Sequence, residues 1–214
     1  KKGNHLYDKL KTKKFIDLNK EDIDEYNDLA NNMLMYTRKN LASINICKYI
    51  LEKSNNDNIQ NILILSGNNN CDYLRDMIII GFKNLLGKNC IEYPKIEFLY
   101  KDFDINSRKL YGRGFSYTNV IDNECYDNSI LNFENNQDKN KQNKIIENLI
   151  KTKAYDIILY GSLHRGKPFY DLVKNVYEPN KVIFLCGEDC HNCNLCINIL
   201  NSGHYMFIRE LDYY

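Results

Sequence analysis

The sequence has almost no net charge: 29 Lys and Arg stand against 28 Asp and Glu, leaving +1. No global basic field exists to hold a nucleic acid, and no polybasic patch marks a membrane surface. The one basic cluster, Lys1, Lys2, Lys9, Lys11, Lys13 and Lys14, runs straight into the acidic stretch from Asp17 to Asp28 and reads as a solvated tail. Long apolar runs are missing as well. None approaches the roughly 20 residues a membrane helix needs, and the N-terminus lacks the apolar core of a signal peptide. Pro (3) and Gly (10) are scarce, and Lys greatly outnumbers Arg. Asn is abundant, with runs at 68–70 and around 135–143. This is the residue usage of an AT-rich genome, and it gives weight to the positions where Arg and Gly persist. Arg75, Arg108, Arg113, Arg165 and Arg209 all fall beyond the first quarter of the chain.

The eight cysteines do not make a disulfide scaffold, which would be shorter and denser in Cys. Cys47, Cys71, Cys90 and Cys125 are scattered through ordinary contexts, and free thiols in a reducing, cytoplasmic compartment are expected. The other four cysteines cluster near the C-terminus.

With 214 residues and 43% hydrophobic content, the chain can bury one sizeable core plus an accessory segment. Residues 1–20 read as a polar tail and 21–55 as a helical segment, with Ile23, Tyr26, Leu29, Ala30, Met33 and Leu34, then Leu41, Ile44, Cys47, Ile50 and Leu51, at helical spacing. A break near 37–40 would make this a helical pair. From 56 to 214 short apolar runs alternate with amphipathic stretches. Residues 61–65, 90–93, 155–160, 181–186 and 205–211 predict strands, with 96–100 as a further strand region. Residues 74–86, 144–153, 169–177 and 194–201 predict helices, the first stopped by Gly87. Residues 122–143 read as an Asn-rich surface loop. The expected fold is therefore an α/β domain on an open, mostly parallel, Rossmann-like sheet with helices on both faces, preceded by a helical segment.

In such sheets ligands bind beyond the carboxyl ends of the strands. Three predicted ends are polar there: Ser66, Gly67 and Asp72; Gly161, Ser162, His164 and Arg165; Gly187, Glu188 and Asp189. His164 is a base near neutral pH and Arg165 a clamp for phosphate or carboxylate; equally, they are a His packed at a sheet edge and a structural ion pair. Glu188 and Asp189 suit a base, an acceptor for sugar hydroxyls or a metal ligand, and Asp189 also suits a helix cap. Ser66 or Asp72 could simply cap the next helix. Arg113, between two glycines, either reaches an anionic group or ties down a loop. Arg75 and Asp76 read as a solvated turn. The first loop has one Gly where a dinucleotide fingerprint needs three, and no Gly-Lys-Ser/Thr follows it, which argues against classical NAD binding and P-loop phosphoryl transfer.

Cys186, Cys190, Cys193 and Cys196, with His191 among them, have the spacing of metal ligands, and zinc would suit four thiolates. The first three also show the spacing of a radical iron–sulfur motif, but that motif belongs early in a larger barrel, not near the end of a chain. Against a metal, Cys186 belongs to a predicted buried strand, where a free Cys is a good small apolar residue.

The ordered set Ile62-Leu-Ile-Leu-Ser-Gly67, Cys71-Asp-Tyr-Leu-Arg-Asp76, Tyr111-Gly-Arg-Gly-Phe115, Tyr155-Asp-Ile-Ile-Leu-Tyr-Gly-Ser-Leu-His-Arg165, Gly187-Glu-Asp189 and Phe207-Ile-Arg-Glu-Leu211 resembles a glycosyltransferase-like group over roughly residues 60–211. The Cys cluster is a departure from it. The resemblance implies the N-terminal, acceptor-side, Rossmann-type half of a two-domain GT-B enzyme. It further implies a sugar, nucleotide sugar or glycan as ligand and a second glycosyltransferase half as partner. His164, Glu188 or Asp189 would then supply the base, and Arg113 and Arg165 would hold the ligand.

Overall fold

The computed structural model describes residues 18–104, 110, 117–126, 139–188 and 194–209, with Asp8 and Lys11 as isolated positions. Its centre is a five-stranded, all-parallel sheet in the order β2-β1-β3-β4-β5. The strands are β1 (Ile62–Leu65), β2 (Cys90–Tyr93), β3 (Ile157–Tyr160), β4 (Val182–Cys186) and β5 (Tyr205–Ile208). Ile62 of β1 lies opposite Cys90 on one side and Ile157 on the other. The first four strands are buried throughout. This is why they appear in the sequence as continuous apolar runs: both faces of a parallel sheet are covered, so alternation disappears.

Successive side chains on a strand point to opposite faces, and the core divides accordingly. Ile62 and Ile64 pack with Ile50 of α2 (Ser43–Lys53) and with Ile78 and Phe82 of α3 (Tyr73–Leu86). Leu63 and Leu65 pack on the other face with Ile146 and Ile150 of α4 (Lys139–Lys151) and Val173 of α5 (Tyr170–Val176); Cys196 and Ile199 of α6 (Asn194–Asn201) join that layer.

The helical segment before the sheet is a pair, as the periodicity suggested. α1 (Lys20–Tyr36) starts at Asn19, whose side chain accepts from the Asp22 N–H at 2.8 Å, and it passes through a π turn (Thr37–Leu41) into α2. Only α2 reaches the core. It meets α3 at Gly81, where an added Cβ would lie 2.5 Å from the Ser43 carbonyl oxygen.

Two stretches differ from expectation. Residues 96–100 form a 3-10 turn (Glu97–Leu99), not a strand. Phe98, Leu99 and Tyr100 bury their side chains instead of pairing, and only an isolated bridge joins Tyr100 to Ile121. α4 begins at Lys139, inside the stretch read as an Asn-rich loop. Burial of Ile146 and Ile150 anchors this helix, and once nucleated it extends through polar residues of adequate propensity. Residues 127–138 of the expected loop lie outside the described residues. Among the described residues, no helix is long and apolar enough to cross a membrane.

Candidate functional site

The chain order reverses direction between β1 and β3, which are neighbours although β2 separates them in sequence. At such a switch point the two following loops part and leave a crevice at the carboxyl edge. Here those loops are residues 66–72 and 161–166. They touch along one seam: a Cβ on Gly67 would collide with the Arg165 carbonyl, and Gly166 stands at φ +113, a conformation open to Gly and strained for other residues.

The first loop is held from inside by Arg75. Its side chain is fully buried, as is that of Asp76 (0% and 1% exposed). The solvated turn expected there does not exist. Arg75 Nη1 donates to Ser66 Oγ (3.2 Å) and to the Asn68 carbonyl (2.9 Å), Nη2 donates to the Asn70 carbonyl, and Nε donates to Asp76 Oδ1 (2.9 Å). Gly161 makes room for it, since a Cβ there would lie 2.6 Å from Arg75 Cγ. Asp76 Oδ2 in turn accepts the Asp72 N–H at 3.0 Å. Burial pushes the Asp76 carboxyl up to about 6, against the opposing pull of Arg75 and of the Asp72 amide. Asp72 does cap α3, accepting the Arg75 N–H on Oδ1 at 3.1 Å.

The cap is only half of what Asp72 does. Its Oδ2 faces β3 and accepts the hydroxyl of Ser162, a side chain from across the switch point. The same oxygen lies 3.4 Å from His164 Nε2 and 3.7 Å from Arg165 Nε. Glu188, just past β4, brings Oε1 to 3.3 Å from the same His164 nitrogen. Thus Asp72, Ser162 and Glu188, contributed by three strand ends, converge on the His164 imidazole, with Arg165 beside Asp72. Exposure is graded across them. Ser162 is buried (1%), whereas the His164 side chain is 23% exposed and that of Glu188 41% exposed. Two carboxylates near Nε2 favour the tautomer that carries its proton there, leaving Nδ1 as the basic nitrogen. Ser162 Oγ, 3.4 Å from Nδ1, already directs its hydrogen at Asp72. Arg165 Nε is buried without a hydrogen-bond partner, so its charge acts on Asp72 through space.

On the far side of the Gly67–Gly166 seam, above β1 and β2, lies a hollow of about 530 Å³. Its wall includes Ser66, Asn69, Tyr93, Gln142, Asn143 and Phe169. Tyr93 Oη donates to Asn143 Oδ1 at 2.6 Å, joining β2 to α4. Except for Ser66 and Asn69, in the loop after β1, none of these stood out in the sequence. They sit on β2, on α4 and in the approach to α5, and no local motif links them; the left-handed backbone of Phe169 (φ 58°) shows only in the structure.

Of the remaining predicted residues, Gly187 packs against Leu74 with ordinary clearance for a Cβ (3.4 Å), so nothing there requires Gly. Arg113 and Asp189 lie outside the described residues, as do Cys190, His191 and Cys193. Cys186 and Cys196 are described and buried, with sulfurs 3.5 Å apart. Among the described residues no group of three or more His, Cys, Asp or Glu side chains is arranged to hold a metal ion. Comparison of the chain with protein-family models, curated proteins and solved structures gave no match.

Proposed function

We propose that this chain is a glycosyltransferase-related domain in which His164 takes the proton of an acceptor hydroxyl bound at the carboxyl edge of the sheet. The observation that carries the reading is the placement of His164 Nε2 within 3.4 Å of Asp72 and 3.3 Å of Glu188, beside the β1/β3 switch point. A hydroxyl is too weak an acid to lose its proton unaided. A nearby imidazole that takes up the proton as it leaves lowers that barrier. As the acceptor oxygen attacks the anomeric carbon of a nucleotide sugar, the proton passes to Nδ1 of His164 and the nucleotide leaves with the bond electrons. Asp72 orients the ring, Arg165 balances the charge of Asp72, and Ser162 fixes the Asp72 rotamer. The partly exposed His164 and Glu188 are the groups that would meet the acceptor. A second glycosyltransferase half would bring the donor, and the reaction would run in the cytoplasm.

A second reading is a sugar- or nucleotide-binding module without catalysis. It is favoured by the position of the 530 Å³ hollow, which His164 does not line.

Thermal-shift titration against UDP-, GDP-, dTDP- and CMP-sugars and a glycan panel, paired with an assay for released nucleotide, tests both. A saturable rise in Tm, with turnover lost in His164→Ala, supports the transferase. A rise that survives His164→Ala, without turnover in either chain, supports the binding module. No rise with any sugar ligand overturns the sugar reading altogether.

A further inference from the structure

We propose that the hollow above β1 and β2 continues along α4 into a second hollow and that the two form one groove for a neutral, extended oligosaccharide, an assignment that rests on the sugar reading of this chain. The second hollow, of about 730 Å³, lies against the same helix, and Phe169 lines both. Lys139, Asn143, Glu147 and Lys151 follow one another at four-residue steps along α4 and line the groove from one hollow to the next. Such a row makes a single ridge on a helix surface. Twelve residues of helix rise about 18 Å, a span that suits a chain of sugars better than a single ring.

The chemistry of the lining selects the ligand. In the second hollow Glu147 and Asp171 offset Lys151 and Lys167, and Lys139 is the one charged side chain that lines the first among the described residues. A diphosphate calls for a cluster of cations, which the described residues of neither hollow supply. Asn68, Asn69, Gln142 and Asn143 carry groups that both donate and accept hydrogen bonds, as a ring of hydroxyls requires. The rings of Tyr93 and Phe169 have centroids 6.1 Å apart, tilted by 41°. That leaves no room for a third ring between them, since stacked carbons need about 3.5 Å on each side. A nucleobase is therefore not sandwiched here; the two rings make a wall against which the apolar face of a sugar can lie. Tyr170 is already covered by Lys167, whose Nζ stands 4.0 Å from the ring centre. Phe169 is left as the aromatic surface common to both hollows. It is held in the left-handed region (φ 58°, ψ 15°), where a residue with a Cβ is strained.

The test is calorimetric titration of the purified full chain with glucose, mannose and N-acetylglucosamine and with their linear oligomers of increasing length. The expected result is an affinity that rises with chain length in at least one series and levels off once the groove is filled. Phe169→Leu, which keeps apolar bulk but loses the flat ring, should weaken the longer oligomers about three- to tenfold, and Phe169→Tyr should restore them. Glu147→Ala, at a partly exposed position, should weaken the longest oligomers and leave the single sugar unchanged. Asn69→Ala should weaken every length, and His164→Ala should leave the affinities in place. An affinity that does not change with length in any series overturns the groove and leaves a site for a single sugar. Length dependence that survives Phe169→Leu and Glu147→Ala but is lost in His164→Ala puts the chain across the Gly67–Gly166 seam and overturns the groove as well. No binding by any of these sugars overturns the groove together with the sugar reading.

Discussion

Arg75 with Asp76, and His164 with Glu188, are pairs of ionisable side chains within a few residues of the same crevice, and they are built in opposite ways. The first pair is buried at 0% and 1%, with its hydrogen-bonding capacity spent on Ser66, Asn68, Asn70 and Asp72. The second pair is 23% and 41% exposed and meets only at an ion-pair distance of 3.3 Å. A buried charge must be satisfied to be tolerated, so Arg75 and Asp76 act as scaffold that shapes the 66–70 loop. A half-open imidazole between two carboxylates keeps a coordination position to offer. Asp72 belongs to both, capping α3 with one oxygen and facing His164 with the other.

That contrast can be broken by mutation. The largest effect is expected from Arg75→Ala, which strands a buried Asp76 and frees the loop carbonyls. It should lower stability by about 3–5 kcal/mol, read as a fall in the urea midpoint at constant slope. Gly161→Ala follows, at about 1–3 kcal/mol, because the new methyl must displace the Arg75 stem. His164→Ala should cost under about 1 kcal/mol, as expected of a partly exposed site, yet cut turnover by about 100-fold or more if the base reading holds. Should His164→Ala unfold the chain as readily as Arg75→Ala, the two pairs would be one scaffold and the comparison would fail.

The smallest effect is a pH slope, and it tests whether burial acts in the same sense elsewhere. His204 is buried beneath Tyr170, its ring nitrogens 3.0 Å from Tyr170 Oη and 3.2 Å from the Pro179 carbonyl. Burial holds its imidazole below the ordinary 6.5, the Pro179 contact partly opposes this, and Lys167 and Lys174 add to the lowering. The unfolded chain therefore binds this proton more readily than the folded one. The contribution is present above pH 6.5 and is lost as the pH falls below that value. His204→Gln should make the fall in urea midpoint between neutral and mildly acid pH shallower. Asp76, raised to about 6 from 3.8, acts in the opposite sense; it is common to both chains and drops out of the difference. Equal slopes in the two chains would remove His204 from the account.

Much of the frame was legible before any coordinates. The strands showed as short apolar runs because a doubly covered parallel sheet admits nothing else. Asp72, Ser162, His164, Arg165 and Glu188 could be picked out because strand ends are where open sheets bind ligands. Arg75 was misjudged because nothing local distinguishes an Arg in a solvated turn from one buried under the next loop. The hollow walled by Tyr93, Gln142, Asn143 and Phe169 was missed because its wall is assembled from β2, α4 and the approach to α5.

The two N-terminal helices draw the line most clearly. Both carry apolar residues at helical spacing. In α2, Cys47 and Ile50 are buried, whereas in α1 Met33 and Leu34 stand 63% and 47% exposed. Sequence by itself determined that each helix would form and which of its faces would be apolar, because periodicity and capping are local. Only the tertiary structure decided that α2 is the one that meets the core. The reason is non-local: the contact depends on Gly81, on another helix, leaving the gap into which Ser43 and Cys47 fit.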